Sequence, residues 1–369
     1  MKEPRNFNVA LNGYRGLCAL LVFGFHLGSA GVVAWPSGSA LADEAASLWM
    51  SLAYGVDMFF MISGFVIVAS LARHATVGGF LRDRFVRIFS AWVPTVIAVT
   101  AICLAFHMKV FADVSLSEGI GIFVANLLLL PPLLPIPLIH MVSWSLTYEW
   151  VFYLTAAAGA LIRRHIPHRL WVTALWAAFI VGFIAFYPRA VYFLTGVLVY
   201  RHQDWFVRHS RWLRFPALSF VVFLVAWRAT GIDQAQLDVT WPALLVSGRW
   251  LLAVIAFAAS VHLFASVCLS ADRQTAFLET RTFQFLGAIS YSFYLWHALV
   301  MAFVKRVMAV FVAPEAGDAM AFALFAVLSL GIALAVSWSS WALFEVRLAK
   351  RMRRWLTQRD PIGSAVHAR

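Results

Sequence analysis

The sequence predicts an all-α fold, a polytopic membrane helix bundle of about ten transmembrane helices with both termini cytoplasmic. Three observations carry this. Of the 369 residues, 62% are hydrophobic and 12% charged, and the mean hydropathy is +0.81; a soluble globular chain is about 45–50% apolar. Several apolar runs reach the ~20 residues that cross a bilayer as a helix. The basic residues gather in alternate loops, as the positive-inside rule requires.

The first apolar run, 11–33, is too long for the apolar core of a signal peptide and holds Arg15 and His26, so it reads as a retained span. Spans at 49–72 and 88–107 follow. The stretch 119–138 is apolar but is interrupted by Pro131, Pro132, Pro135 and Pro137. A continuous helix would lose several backbone hydrogen bonds there, so the stretch reads as re-entrant or interfacial. Further spans are expected at 143–162, 170–187, 189–201 (short), 215–230, 243–268, 284–304 and 320–345. No segment is long and polar enough to form a soluble domain. The chain therefore divides into one membrane domain, 1–346, and a basic cytoplasmic tail, 347–369.

With ten spans, 22 of the 29 Lys and Arg fall on the cytoplasmic side. Five fall outside: Lys109, Arg189, Arg228, Lys305 and Arg306. Counting 119–138 as a full span would send Arg163-Arg164-His165 outside, against the rule. The net charge of +12 reflects this orientation and gives no reason to expect a nucleic-acid partner. Cys18, Cys103 and Cys268 are scattered in apolar segments and read as small buried hydrophobes. No metal site is expected.

Ionisable side chains inside hydrocarbon are costly and mark function by default. Arg15 and His26 lie eleven residues apart. That is close to three helical turns, which puts both on one face roughly 16 Å apart. Asp57, Glu149 and His297 lie in three other spans. Depth counted along each span puts His26, Asp57, Glu149 and His297 together in the outer half of the bilayer, as a polar pocket. On the cytoplasmic side, Arg84 and Arg87 at i, i+3 share a helix face at the mouth of the third span. They read either as positive-inside anchors or as a clamp for phosphate oxygens. Ser63-Gly64 in the second span reads as a close helix contact. His262 reads as a helix-contact residue, and His140 as interfacial.

These motifs, taken in order, resemble the acyltransferase-3 family of integral membrane O-acyltransferases. The likeness rests on Arg15 with His26, Gly55-Val56-Asp57 through Phe65, Arg84 with Arg87-Ile88, Trp144-Ser145-Leu146 with Glu149, and Ile289 through His297. It implies transfer of an acyl group, usually acetyl, from cytoplasmic acyl-CoA (acetyl-CoA by default) to a hydroxyl. The acceptor would be a carbohydrate or glycolipid of the cell surface, such as a polysaccharide or lipopolysaccharide. The protein would then be a multi-pass protein of the bacterial inner membrane, with membrane lipids as its surroundings and no permanently bound cofactor. Two departures stand out: Ser90 where proline is common, and Trp150 where a second acidic residue often follows Glu149.

The expected mechanism has Arg84 and Arg87, with Arg15, binding the donor's phosphates. His26 is the expected general base, matched to this work by an imidazole titrating near neutrality. Glu149 or Asp57 would orient its ring. Ser145, Tyr148 or a backbone amide near Gly64 would stabilise the oxyanion, with His297 also on the substrate. A covalent acyl-histidine stays open as an alternative. The competing class is a transporter or flippase of a glycolipid or small metabolite, which would also bury ionisable groups and break a helix.

Overall fold

The computed structural model describes residues 7–32, 39–106, 110–112, 114–231, 240–269, 273–311 and 318–358. Lys109, His107, most of the outer loop 231–242 and the tail beyond residue 358 lie outside them. All the described elements are helical.

Helix α1 spans Phe7–Ser29, α2 Ala40–Met50 and α3 Gly55–Arg73, the last two joined by a 3₁₀ turn into one run. Helix α4 spans Val77–Ala105 and α5 Leu116–Leu127. Then come α6 Ser143–His165, α7 Leu170–Phe186, α8 Val191–Arg201 and the short α9 Gln203–Arg208. Helices α10 Pro216–Ala229, α11 Trp241–Val246, α12 Trp250–Leu269 and α13 Arg281–Phe311 follow. Helix α14, Asp318–Ser340, passes without a break through a π-helical turn, Trp341–Leu348, into α15, Ala349–Gln358.

Six helical runs among the described residues are long and apolar enough to cross a membrane: Val9–Ser29, Ala40–Arg73, Val77–Ala105, Trp250–Leu269, Arg281–Phe311 and Asp318–Gln358. The other expected spans coincide with α6, which carries Glu149 and two arginines, and with α7, α8 and α10, which are shorter than a full crossing. The bundle is thus all-α and built for a membrane, with helices at each expected position. Helix α4 starts eleven residues before the expected third span. The Thr76 hydroxyl caps its first turn by accepting from the Gly79 amide at 3.1 Å. Arg84 and Arg87 therefore sit inside the helix rather than ahead of it.

Two close helix pairs set the core. A Cβ on Gly64 would come within 2.0 Å of the Phe193 carbonyl oxygen, and one on Gly196 within 2.0 Å of that of Met61. Only glycine lets α3 and α8 approach this closely. A Cβ on Gly287 would come within 1.9 Å of the Asn12 carbonyl oxygen, which brings α13 equally close to α1. Helices α1, α3 and α13 consequently surround a common interior, with α4 and α6 closing it.

Between α5 and α6 the proline-rich segment is irregular and tucked into the protein. The Asn126 amide donates to the Ile122 and Pro137 carbonyls at 2.9 Å and accepts from the Ile139 amide at 3.0 Å. Thr147 donates to the Pro131 carbonyl at 2.6 Å. His140 is buried and donates from Nε2 to the Leu295 carbonyl at 2.7 Å, so it is not the interfacial group expected. These partners meet the backbone needs that the missing helix leaves. His262 does join helices, contacting Ser219 Oγ and the Trp212 carbonyl, each at 2.6 Å.

Candidate active site

A cavity of about 280 Å³ opens within the bundle among α1, α3, α4, α6 and α13. Arg15, Arg84 and Arg87 line it together with Glu149, Ser63 and Tyr153. Ser145 and Tyr294 line it too. The basic loops mark one end of the bundle as cytoplasmic. Because α4 starts at that end, its two arginines enter the cavity from there.

The three guanidiniums differ in what they touch. Among the described residues Arg15 has no hydrogen bond or ion pair, and the charges near it are those of Arg87, Glu345 and Glu149. Arg84 donates from Nη2 to Ser70 Oγ at 3.2 Å, while its Nε is buried without a partner among the described residues. Its guanidinium lies over the rings of Phe80 and Tyr153, 5.9 and 6.0 Å from their centroids. Arg87 is paired: Nη1 meets Glu345 Oε2 at 2.5 Å, and the guanidinium covers the Tyr291 ring at 5.1 Å. Glu149 accepts from Ser63 Oγ at 2.7 Å and from the Tyr153 hydroxyl, both on Oε1. Three cations and one lining carboxylate make the cavity electropositive.

His26 lies beyond the far end of this cavity. Its ring centroid is 5.0 Å from that of His297. His297 donates from Nδ1 to the Phe293 carbonyl at 3.0 Å. A carbonyl can only accept, so in the neutral ring Nε2 carries a lone pair. That nitrogen is buried without a partner among the described residues. Tyr294, which lines the cavity, has its ring centroid 6.0 Å from that of His297. Its hydroxyl is shared with Ser145 Oγ at 2.7 Å and donates to the Val142 carbonyl at 3.0 Å.

The four ionisable groups expected in one outer pocket thus separate into three places. Glu149 faces the arginines. His26 and His297 pair with each other. Asp57 is fully buried elsewhere, gripped by Arg189 through Nε–Oδ1 at 2.9 Å and Nη2–Oδ2 at 2.6 Å. Arg189, expected in an outer loop, is only 4% exposed and lies 4.8 Å from the Trp144 ring centroid. Tyr148 is buried in an aromatic cluster with Phe60, Trp144 and Tyr187 and does not line the cavity.

A family model described as an acyltransferase domain, the acyltransferase-3 model, matches residues 8–341. The chain belongs to the acyltransferase-3 family. It is also 27% identical to the protein named acyltransferase MdmB of Streptomyces mycarofaciens, over 96% of this chain and 94% of that one. No solved structure matches significantly. An acyltransferase-3 protein is an enzyme of acyl transfer in a membrane, which decides against the transporter alternative. For an acyltransferase, an electropositive cavity beside a buried imidazole pair offers two distinct environments, one for an anion and one for a proton.

Sequence reasoning missed three members of this acyltransferase's interior. Glu345 was placed at the end of the last span, yet an acid in Trp341-Ala342-Leu343-Phe344-Glu345 was a signal in itself, because hydrocarbon leaves no acid unpartnered. Arg189 answers the same need at Asp57. His140 follows the prolines, and nothing local betrayed its burial.

Proposed function

We propose that this acyltransferase moves an acyl group, acetyl by default, from cytoplasmic acyl-CoA to a hydroxyl of a cell-surface carbohydrate or glycolipid, in the bacterial cytoplasmic membrane. The observation that carries the reading is the arginine-lined cavity, one of whose lining residues, Tyr294, lies 6.0 Å from the ring of His297 in the His26–His297 pair. Arg84 and Arg87, with Arg15, bind the phosphates of the donor, and the pantetheine arm runs along the cavity toward Tyr294. Guanidinium forks suit phosphate oxygens, and the attraction weakens with salt.

His26 is the general base. It takes the proton of the acceptor hydroxyl as that oxygen bonds to the thioester carbonyl carbon. The carbon–sulfur bond then breaks, and the proton passes from His26 to the departing CoA thiolate. His297 Nε2, with its free lone pair, accepts a hydrogen bond from an acceptor hydroxyl. The Ser145 and Tyr294 hydroxyls, bonded to each other and to the Val142 carbonyl, supply the oxyanion donor by turning a proton from that carbonyl toward the cavity. Tyr148, away from the cavity, is supporting structure in this scheme. Asp57 is held by Arg189 and serves the fold, and Glu149 balances the cationic cavity.

The test is mass spectrometry of surface glycans and glycolipids from a native strain, a deletion strain and the deletion complemented with His26→Ala. The expected result is a base-labile acyl increment lost on deletion and not restored by a well-expressed His26→Ala protein. Full restoration by that variant would remove the catalytic base from the scheme. Glycans unchanged by deletion would remove the acceptor class.

A further inference from the structure

Arg87 is the only one of the three cavity arginines that is ion-paired among the described residues, and its partner arrives by an unusual route. Glu345 sits in the π-helical turn Trp341–Leu348, between α14 and α15. Its side chain is 4% exposed, and both oxygens are used. Oε2 takes Arg87 Nη1 at 2.5 Å, while Oε1 accepts from the Ser292 amide at 3.0 Å and from Ser292 Oγ at 2.7 Å. Ser292 Oγ also meets Ser340 Oγ at 3.0 Å. Trp296 donates to that same Ser340 oxygen at 2.9 Å.

Ser340 and Glu345 therefore both reach Ser292, although they are five residues apart. Around an α-helix five residues amount to about 140°, so the two would face different neighbours. The i→i+5 closure of a π-turn brings them back to one side. The preceding buried positions of α14, Ala333, Ser337 and Ser340, follow ordinary helical spacing. The register changes immediately after Ser340, and its effect is to deliver a carboxylate to the guanidinium.

We infer that Glu345 is a positioning residue for the donor site: anchored by Ser292 and placed by the π-turn, it holds the Arg87 fork in the orientation that meets an acyl-CoA phosphate. One nitrogen of Arg87 is fixed against Glu345, and the flat guanidinium lies over Tyr291, itself bonded through its hydroxyl to the Ile88 carbonyl at 2.9 Å. The remaining N–H groups are left for a ligand. A guanidinium already in place loses less freedom on binding than a mobile one. This rests on the proposed reading of the arginines as the donor site.

The sign of one measurement separates positioning from simple charge. Removing the Glu345 charge makes the cavity more positive, so electrostatics alone would tighten the binding of an anion. Losing the anchor of Arg87 weakens it. The experiment is equilibrium binding of radiolabelled CoA to the purified full-length protein in nanodiscs, with S-acetylpantetheine, which lacks the nucleotide phosphates, as a competitor. Wild type, Arg87→Ala, Glu345→Gln and Ser292→Ala are compared.

The expected result is a CoA Kd raised about tenfold in Arg87→Ala and in Glu345→Gln, the loss of roughly one charge-assisted hydrogen bond. Competition by S-acetylpantetheine stays at its wild-type strength, which general loosening of the fold would not allow. Ser292→Ala, which keeps every charge, is expected to raise the Kd about threefold. It serves as the deciding variant if Glu345→Gln does not fold. Unchanged CoA binding in Arg87→Ala would sink the donor-site reading and the positioning role with it. Weakened binding in Arg87→Ala, with unchanged or tighter binding in Glu345→Gln or, in its place, unchanged binding in Ser292→Ala, would overturn the positioning role alone.

Discussion

Replacing Asp57 with alanine should destabilise the protein by about 3–5 kcal/mol, the usual cost of orphaning one partner of a buried ion pair. The structure supplies the terms. Two charge-assisted bonds to Arg189 are lost, at 2.9 and 2.6 Å, each worth roughly 1.5–3 kcal/mol. The abandoned guanidinium stays buried, with only the Ala53 carbonyl at 3.4 Å and the rings of Trp144 and Tyr54 to receive it. The ring contacts are present with or without Asp57 and so do not offset the loss. For a chain of 369 residues the net penalty corresponds to a fall in melting temperature on the order of 4–6 °C. Thermal unfolding in detergent, followed by tryptophan fluorescence, reads this directly. The double variant Asp57→Leu with Arg189→Met, which removes both charges, should recover most of the loss. An Asp57→Ala protein as stable as wild type but unable to transfer an acyl group would refute the reasoning, because the carboxylate would then be serving chemistry rather than the fold.

Four further outcomes follow. Gly64→Ala should cost at least about 1–3 kcal/mol, since its Cβ meets backbone of α8 that cannot yield without parting the helices. Gly78→Ala, with nothing within 4 Å of the added carbon, should be neutral or stabilising by up to about 1 kcal/mol in the same unfolding assay. Tyr294→Phe should lower turnover on the order of a hundredfold if its hydroxyl serves the oxyanion, with a stability loss near 1–2 kcal/mol; turnover within a fewfold of wild type would remove it from that role. Binding of CoA to purified protein should weaken as ionic strength rises from 0.05 to 0.5 M (about 14 to 4 Å of screening length), and salt-independent binding would argue against an arginine-based donor site.

Much of the architecture was legible because bilayers impose a simple rule on sequence: long apolar runs must be helices, and the charges among them need partners. Arg15 and Glu149 were singled out on that rule and Arg84 and Arg87 by their i, i+3 spacing at the cytoplasmic mouth of the third span, and the structure gathers all four around one cavity. Depth was less legible. Counting residues from the outer end of α6 put Glu149 beside His26, but that end is submerged: the irregular segment before it folds inward, with Leu129, Ile139 and His140 buried. Glu149 therefore lies deeper, level with Ser63 on α3. Glu345 escaped because helical periodicity carries no sign of a π-turn, and its partner Ser292 lies on another helix. Arg189 escaped because a short turn between two apolar runs looks like solvent-facing loop until Asp57 is seen to require it.

The unbroken run from Asp318 to Gln358 is 41 residues long, about 60 Å of helix, twice the thickness of the hydrocarbon core. It joins α15 to the π-turn and Glu345 as one continuous element. Force or rotation applied to α15, which leans on α4 with Arg353 3.8 Å from Asp83, travels to Glu345 and so to Arg87 with no intervening loop to absorb it. A bulky protein fused beyond α15 would load the Arg87 end of the cavity mechanically, whereas the same fusion placed on the α9 side would leave that run undisturbed.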